Sequence, residues 1–193
     1  MGGCRVILID ADDAWRKNVK AMLTKYGYRV VGEGGDGPSA IKLVRSREPD
    51  LLIIDANLPG SVGGMQVAKI FHEDKLVPVI ATSTIDNHKT LEKAKDAGVF
   101  AFLIKPVSED VLLPAIELAL TNFREIVALE QKIKELQETL ETRKIVERAK
   151  GILMETHGLT EAEAFRRLQR HSMNKRVSMR AVAEAVITAY SLK

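Results

Sequence analysis

Along the first 120 residues the apolar positions change period repeatedly. Short, mostly apolar runs at residues 6–9, 29–33, 51–54, 77–82 and 101–104 predict strands, because neither a long stripe nor a polar alternation fits them. Between them, residues 14–26, 39–47, 65–73 and 87–97 place apolar side chains at helical spacing, and a further helix is expected after Ser108. A run such as Leu51, Leu52, Ile53 and Ile54 suits a strand covered on both faces, as in a parallel sheet flanked by helices. Gly27 and Gly98 follow two of the helices, where a left-handed residue is usual. Five such repeats predict an α/β three-layer sandwich around a parallel five-stranded sheet.

The last of these helices has no evident end. Pro114 and Gly151 are the only Gly or Pro between Glu109 and His157, so the helical pattern far exceeds ordinary globular length. Ile126, Leu129, Ile133, Leu136 and Leu140 repeat in steps of three and four, flanked by Glu130, Lys132, Lys134, Glu135 and Glu138. That seam predicts a parallel homodimeric coiled coil over residues 121–141, the alternative being one helix packed on its own domain. Arg143 and Glu147 then occupy seam positions, and a rotated stripe begins at Ile145, Ala149, Ile152 and Leu153. Thr160 with Glu163 forms a capping-box signature ahead of Ala164, Phe165 and Leu168. Ser178 is placed to cap a last helix whose Met179, Val182, Ala183, Val186, Ile187 and Tyr190 share one face. Residues 142–193 are therefore expected to form a small three-helix domain, with Phe165 and Met173 in its core.

Charge sharpens this division. The net charge of +3 over 193 residues hides 11 Lys or Arg against 6 Asp or Glu in residues 141–193, while the preceding part is slightly acidic. A basic surplus at one end favours a polyanionic partner there, or else a solvated basic face. Apolar runs reach only four or five residues, far below the roughly 20 needed to span a bilayer, so no membrane partner is expected. The start of the chain has no secretory signal pattern, and the lone Cys4 agrees with a reducing compartment, so a cytoplasmic location is expected. His72, His88, His157 and His171 lack metal-ligand spacing and read as surface or packing residues.

The chemistry gathers at the strand ends. Asp55 closes the third run ahead of the Pro59–Gly60 turn, and open α/β sheets bind ligands outside the carboxyl ends of their strands. Asp10, Asp12 and Asp13 follow the first run, Ser83 and Thr84 the fourth, and Lys105 the fifth. Carboxylates brought together need a cation, and an oxygen-only donor set suits Mg²⁺, with Asp10, Asp12, Asp55 and Asn57 as the expected ligands. An Asp held in this way attacks phosphorus to give an aspartyl phosphate. Lys105 would pair with the new charge and Ser83 would donate a hydrogen bond to it. Phosphohydrolases with a nucleophilic Asp carry a second acid two residues on, and Asn57 in that place argues against an enzyme.

The acids after the first strand, "DANLPG" around Asp55, the hydroxyl after the fourth strand and "AFLIKP" ending near Lys105 resemble the receiver domain of two-component response regulators. The resemblance implies a flavodoxin-like (βα)₅ fold over residues 1–120 and phosphorylation of Asp55 by a sensor histidine kinase with Mg²⁺. It also implies a switch in which Ser83 moves inward and the aromatic ring of Phe102 turns. Two positions depart from the pattern: Ala11 stands where the second acid of an adjacent pair is usual, and Val62 precedes Gly63.

Further on, "ERAKGILM", "GLTEAEAF", the "SM" before the last helix and "VAEAVI" resemble the ANTAR domain, an RNA-binding antitermination module. That implies RNA hairpin loops as partners, with Lys144, Arg148, Lys150, Gly151, Arg167, Lys175 and Arg176 as candidate contacts. Gly151 inside a helix costs about 1 kcal/mol relative to Ala, which points to close approach by another helix or a nucleotide backbone. With Phe165 and Tyr190 assigned to the core, loop recognition would lean on Arg stacking. A DNA-binding regulator and a constitutive RNA binder with an unresponsive receiver remain the alternatives.

Overall fold

The computed structural model describes residues 3–85 and 88–191. Two compact units make up the chain, Met1–Val127 and Ala128–Lys193.

In the first unit, strands β1 (Arg5–Ile9), β2 (Arg29–Gly34), β3 (Leu51–Asp55), β4 (Val79–Ser83) and β5 (Ala101–Ile104) form one sheet in the order β2-β1-β3-β4-β5. Every pairing is parallel, as the unbroken apolar runs predicted. Helices α1 (Asp13–Lys25), α2 (Gly37–Arg47), α3 (Gly64–Asp74) and α4 (His88–Asp96) connect them, and α5 (Glu109–His157) follows the last strand. The start expected for α4 at Asn87 lies outside the described residues.

Successive strand residues point to opposite faces, and both faces are covered. Ile7, Ile9, Leu52 and Ile54 pack with Ala40 and Val44 of α2 and with Val67 and Phe71 of α3. Val6, Leu8, Leu51 and Ile53 pack with Val19 and Leu23 of α1 and with Leu112 and Ile116 of α5. This explains why β1 and β3 have no polar alternation. Strand β4 begins at Val79, two residues later than the apolar run suggested, because Pro78 has no N–H to enter the ladder.

Gly27 and Gly98 have φ of 82° and 66°, the left-handed conformation expected after α1 and α4. Gly64 has a different constraint. It starts α3 against the main chain of Asp55, and a Cβ there would overlap the Asp55 carbonyl. Gly64→Ala is therefore expected to cost about 2 kcal/mol or more in urea unfolding, since backbone must move to admit one methyl group. A loss below about 0.5 kcal/mol would show that the approach is not tight.

The second unit contains the C-terminal part of α5, then α6 (Glu161–Lys175) and α7 (Met179–Ser191). Val146, Ala149, Leu153, Ala164, Leu168, Val182 and Ala183 form its core. Thr160 and Glu163 close the capping box: the Thr160 N–H donates to Glu163 Oε2 at 2.9 Å, and the Glu163 N–H donates to Thr160 Oγ1 at 3.4 Å. Two core assignments are corrected. Phe165 is 43% exposed and Met173 72% exposed, because Ala164 and Leu168 define the buried stripe and both other residues lie well round the helix from it. Among the described residues, no helix is long and apolar enough to cross a membrane.

Candidate functional site

With all strands parallel, Asp10, Asp55, Ser83 and Lys105 come to the same edge of the sheet. Asp10 follows β1 and Asp55 ends its neighbour β3, so both acids stand where the strand order reverses, the usual ligand crevice of such sheets. Lys105, directly after β5, reaches across to them. Its Nζ is 2.5 Å from Asp10 Oδ2 and also forms an ion pair with Asp55 Oδ2. The three side chains are only 10%, 3% and 12% exposed for Lys105, Asp10 and Asp55, so the pairing takes place largely out of water.

Burial by itself lowers the affinity of the Lys105 ammonium for its proton. The hydrogen bonds to Asp10 and Asp55 and their charge outweigh that effect, so its pKa stands above the ordinary lysine value. The second oxygen of each acid is held by main chain. Asp55 Oδ1 accepts from the Asn57 N–H at 2.5 Å, and Asp10 Oδ1 accepts from the Asp12 N–H at 2.9 Å. Ser83 is fully buried. Its hydroxyl oxygen accepts from Asn57 Nδ2 and from the Ile85 N–H, both at 3.0 Å. Asn57 thus connects Asp55 with Ser83. Phe102 is partly buried on β5, in register with Ala81.

Asp12 is not drawn into this cluster. Its Oδ1 caps α1, accepting from the N–H groups of Ala14 at 2.9 Å and Trp15 at 3.1 Å. The helix start claims the carboxylate expected to join the metal ligands. Trp15, which the sequence reading passed over, packs its ring 4.6 Å from Lys105 Nζ. Its signal was available, since the first turn of a helix following β1 borders the crevice.

Mg²⁺ takes oxygen donors and is commonly bound by one or two carboxylates, with water and phosphate completing the shell. Asp10 and Asp55 offer that chemistry, and to this extent the residues fit the ion. Among the described residues, no group of three or more acids, His or Cys is placed to hold a metal. Ala11, which is exposed beside Asp10, leaves the donor set one acid short. Ala11→Asp is expected to tighten Mg²⁺ binding at least about tenfold, measured by calorimetric titration, because affinity follows the number of charged ligands. Unchanged affinity would mean that position 11 does not face the ion.

In the second unit, Lys144, Arg148, Arg167, Lys175 and Arg176 are exposed, as a polyanion contact requires. Lys150 is not. Its side chain is 7% exposed, and Nζ pairs with Glu147 at 2.9 Å and Glu161 at 2.7 Å, joining α5 to the start of α6. Those hydrogen bonds, Glu161 first, hold its pKa above the ordinary lysine value. A candidate contact is therefore corrected to an internal tie. Gly151 is also corrected in part: a Cβ there would meet nothing within 4 Å, so among the described residues no other helix approaches it closely.

A parallel β2-β1-β3-β4-β5 sheet with two acids, a hydroxyl and a lysine at its carboxyl edge has the architecture of a receiver domain, and sequence comparison extends this to the rest of the chain. Residues 6–117 match the response regulator receiver domain and residues 134–187 match the ANTAR domain. The chain belongs to the response regulators, with an ANTAR domain after its receiver. The transcriptional regulatory protein PdtaR of Mycobacterium tuberculosis is 44% identical over 184 residues, covering 95% of this chain and 89% of that protein. Protein PilH of Pseudomonas aeruginosa is 31% identical over 123 residues, covering 61% of this chain and 98% of its own. The signal receiver domain of the response regulator NarL from Mycobacterium tuberculosis superposes with a TM-score of 0.59 at 27% identity, covering 63% of this chain and 98% of that one.

Proposed function

We propose that a sensor histidine kinase phosphorylates Asp55, and that the phosphorylated chain acts as a homodimer binding RNA hairpins to regulate transcription by antitermination in the cytoplasm. The observation that carries this reading is the placing of Asp55. Its carboxylate sits at the crevice edge with Lys105 on one oxygen and the Asn57 N–H on the other. A carboxylate oxygen attacks the phosphoryl group, the bond from phosphorus to the kinase imidazole breaks, and an acyl phosphate remains. Lys105 then has a phosphoryl oxygen to pair with, and Ser83 exchanges its Asn57 contact for the phosphoryl group. Asp10, Asp55 and Asn57 would hold Mg²⁺, which when bound offsets the charge of the transferring group.

The proposed division assigns sensing to residues 1–120, dimerisation to 121–141 and RNA binding to 142–193. Leu129, Ile133, Leu136 and Leu140 support the dimer, because each is more than half exposed on α5 and together they repeat at heptad spacing. A row that regular matches a second copy of itself. Lys144, Arg148, Arg167, Lys175 and Arg176 support the RNA role through their exposure and the basic surplus of that region.

Affinity for a two-hairpin leader RNA is expected to rise about tenfold when beryllofluoride and Mg²⁺ mimic the phosphoryl group, an ordinary magnitude for coupled sites. Asp55→Asn should remove the response while leaving basal binding intact. Equal affinity with and without the mimic would exclude phosphorylation gating. Displacement by duplex DNA as readily as by RNA would favour a DNA-binding regulator.

A further inference from the structure

His157 and His171, expected from the sequence to be surface or packing residues, both border one cleft in the second unit. The cleft has a volume of about 300 Å³ and lies among the end of α5, the middle of α6 and the last turns of α7. Leu153, Leu168 and Val186 make its walls apolar. Arg167 and His171, one turn apart on α6, line it together with His157 and Tyr190. The rings of His157 and Tyr190 meet edge to face, with centroids 6.0 Å apart and planes at 73°, and the Tyr190 hydroxyl is 3.4 Å from His157 Nε2. A guanidinium, two imidazoles and a phenol thus surround an aliphatic floor.

That combination suits a particular shape of ligand. Aliphatic walls accept flat apolar faces, polar ring atoms meet a hydrogen-bonding edge, and a guanidinium favours an attached anion. The volume lies at the small end of the roughly 300–1,000 Å³ usual for ligand pockets, enough for a single ring system rather than a helix. An amphipathic helix would also need an elongated groove with anchors at i, i+3, i+4 and i+7. The basic surplus of this unit favours an anionic polymer.

We infer that this cleft receives one unpaired base of the RNA loop, turned out of the hairpin, with Arg167 engaging the neighbouring phosphate. The inference rests on the RNA-binding reading above and assigns a base-specific site within it. Hairpin loops are read through splayed bases that stack and present their edges, whereas exposed lysines and arginines on a convex face hold phosphates without reading sequence.

The test uses the full chain and the two-hairpin leader RNA, with 2-aminopurine placed singly at each unpaired loop position. One position is expected to change its emission sharply on binding. Ala189→Phe, which fills the cleft from an exposed position on its lining, should abolish that change and weaken binding roughly 5- to 150-fold, the range of one lost base stack. Arg166→Ala, outside the lining, should weaken binding modestly and reduce its salt dependence without altering the emission pattern. If Ala189→Phe fails to fold by circular dichroism, His171→Ala replaces it, since that side chain is exposed. No binding by the unaltered chain would defeat the RNA reading itself. Binding that survives cleft filling, with the emission change intact, would overturn the inference alone, as would a change of oligomeric state in place of RNA affinity.

Discussion

Replacing Lys105 with Met is expected to destabilise the receiver by about 3–5 kcal/mol at neutral pH, the cost of removing one partner from a buried charge pair. Lys105 is the cation shared by Asp10 and Asp55, and all three side chains are almost wholly withdrawn from water. Without it, two neighbouring carboxylates face each other in a medium that screens poorly. Urea unfolding would measure the loss. Added Mg²⁺ should restore part of it, because a divalent ion can occupy the position the ammonium leaves. The sign with pH is fixed by the direction of the Lys105 shift. A lysine raised in the folded state contributes fully below its ordinary range and loses that contribution only as pH climbs through its elevated folded value. The wild-type contribution is therefore constant through neutral pH and falls only in strong alkali. A loss under about 1 kcal/mol would mean that solvent reaches the carboxylates far more freely than their exposure indicates.

Ile133→Asp combined with Leu136→Asp is expected to dissociate the proposed dimer, weakening self-association more than about a hundredfold in sedimentation equilibrium. Both side chains are over half exposed in the single chain, so the substitutions should leave its thermal unfolding nearly unchanged. In a coiled coil they would place four carboxylates at the seam. Binding to a two-hairpin RNA should then fall by roughly 10²- to 10⁴-fold, the usual size of avidity, while binding to one hairpin stays the same. Equal losses on one and two hairpins would show that the seam contributes something other than pairing.

The sheet was legible because burial on both faces leaves the unbroken apolar runs of β1 and β3 no reading as amphipathic helices. Asp55, Ser83 and Lys105 followed from the topology, since parallel strands bring their carboxyl ends to one edge. What remained hidden depended on competition for a side chain. Asp12 looked like a fourth oxygen ligand, but an Asp just before a helix with Asp13 in its first turn is also a cap, and the helix start prevailed. Lys150 occupies a buried position by spacing, four residues after Val146 and one after Ala149, yet its charge suggested the surface. Glu147 and Glu161 reconcile the two. Phe165 failed in the opposite direction: an aromatic beside Ala164 reads as core until the helices covering α6 are known. That His157 and His171, 14 positions apart in the chain, line the same cleft had no local signal at all.

The contact between Trp15 and Lys105 makes the crevice observable by its own light. This chain contains one tryptophan, so emission excited at the red edge, where tyrosine no longer absorbs, comes from that ring alone. The ring lies 4.6 Å from the ammonium that binds both acids. Anything that draws the ammonium elsewhere alters the field at the indole. A spectrometer can therefore follow the arrival of a cation or a phosphoryl group in unlabelled protein, in real time.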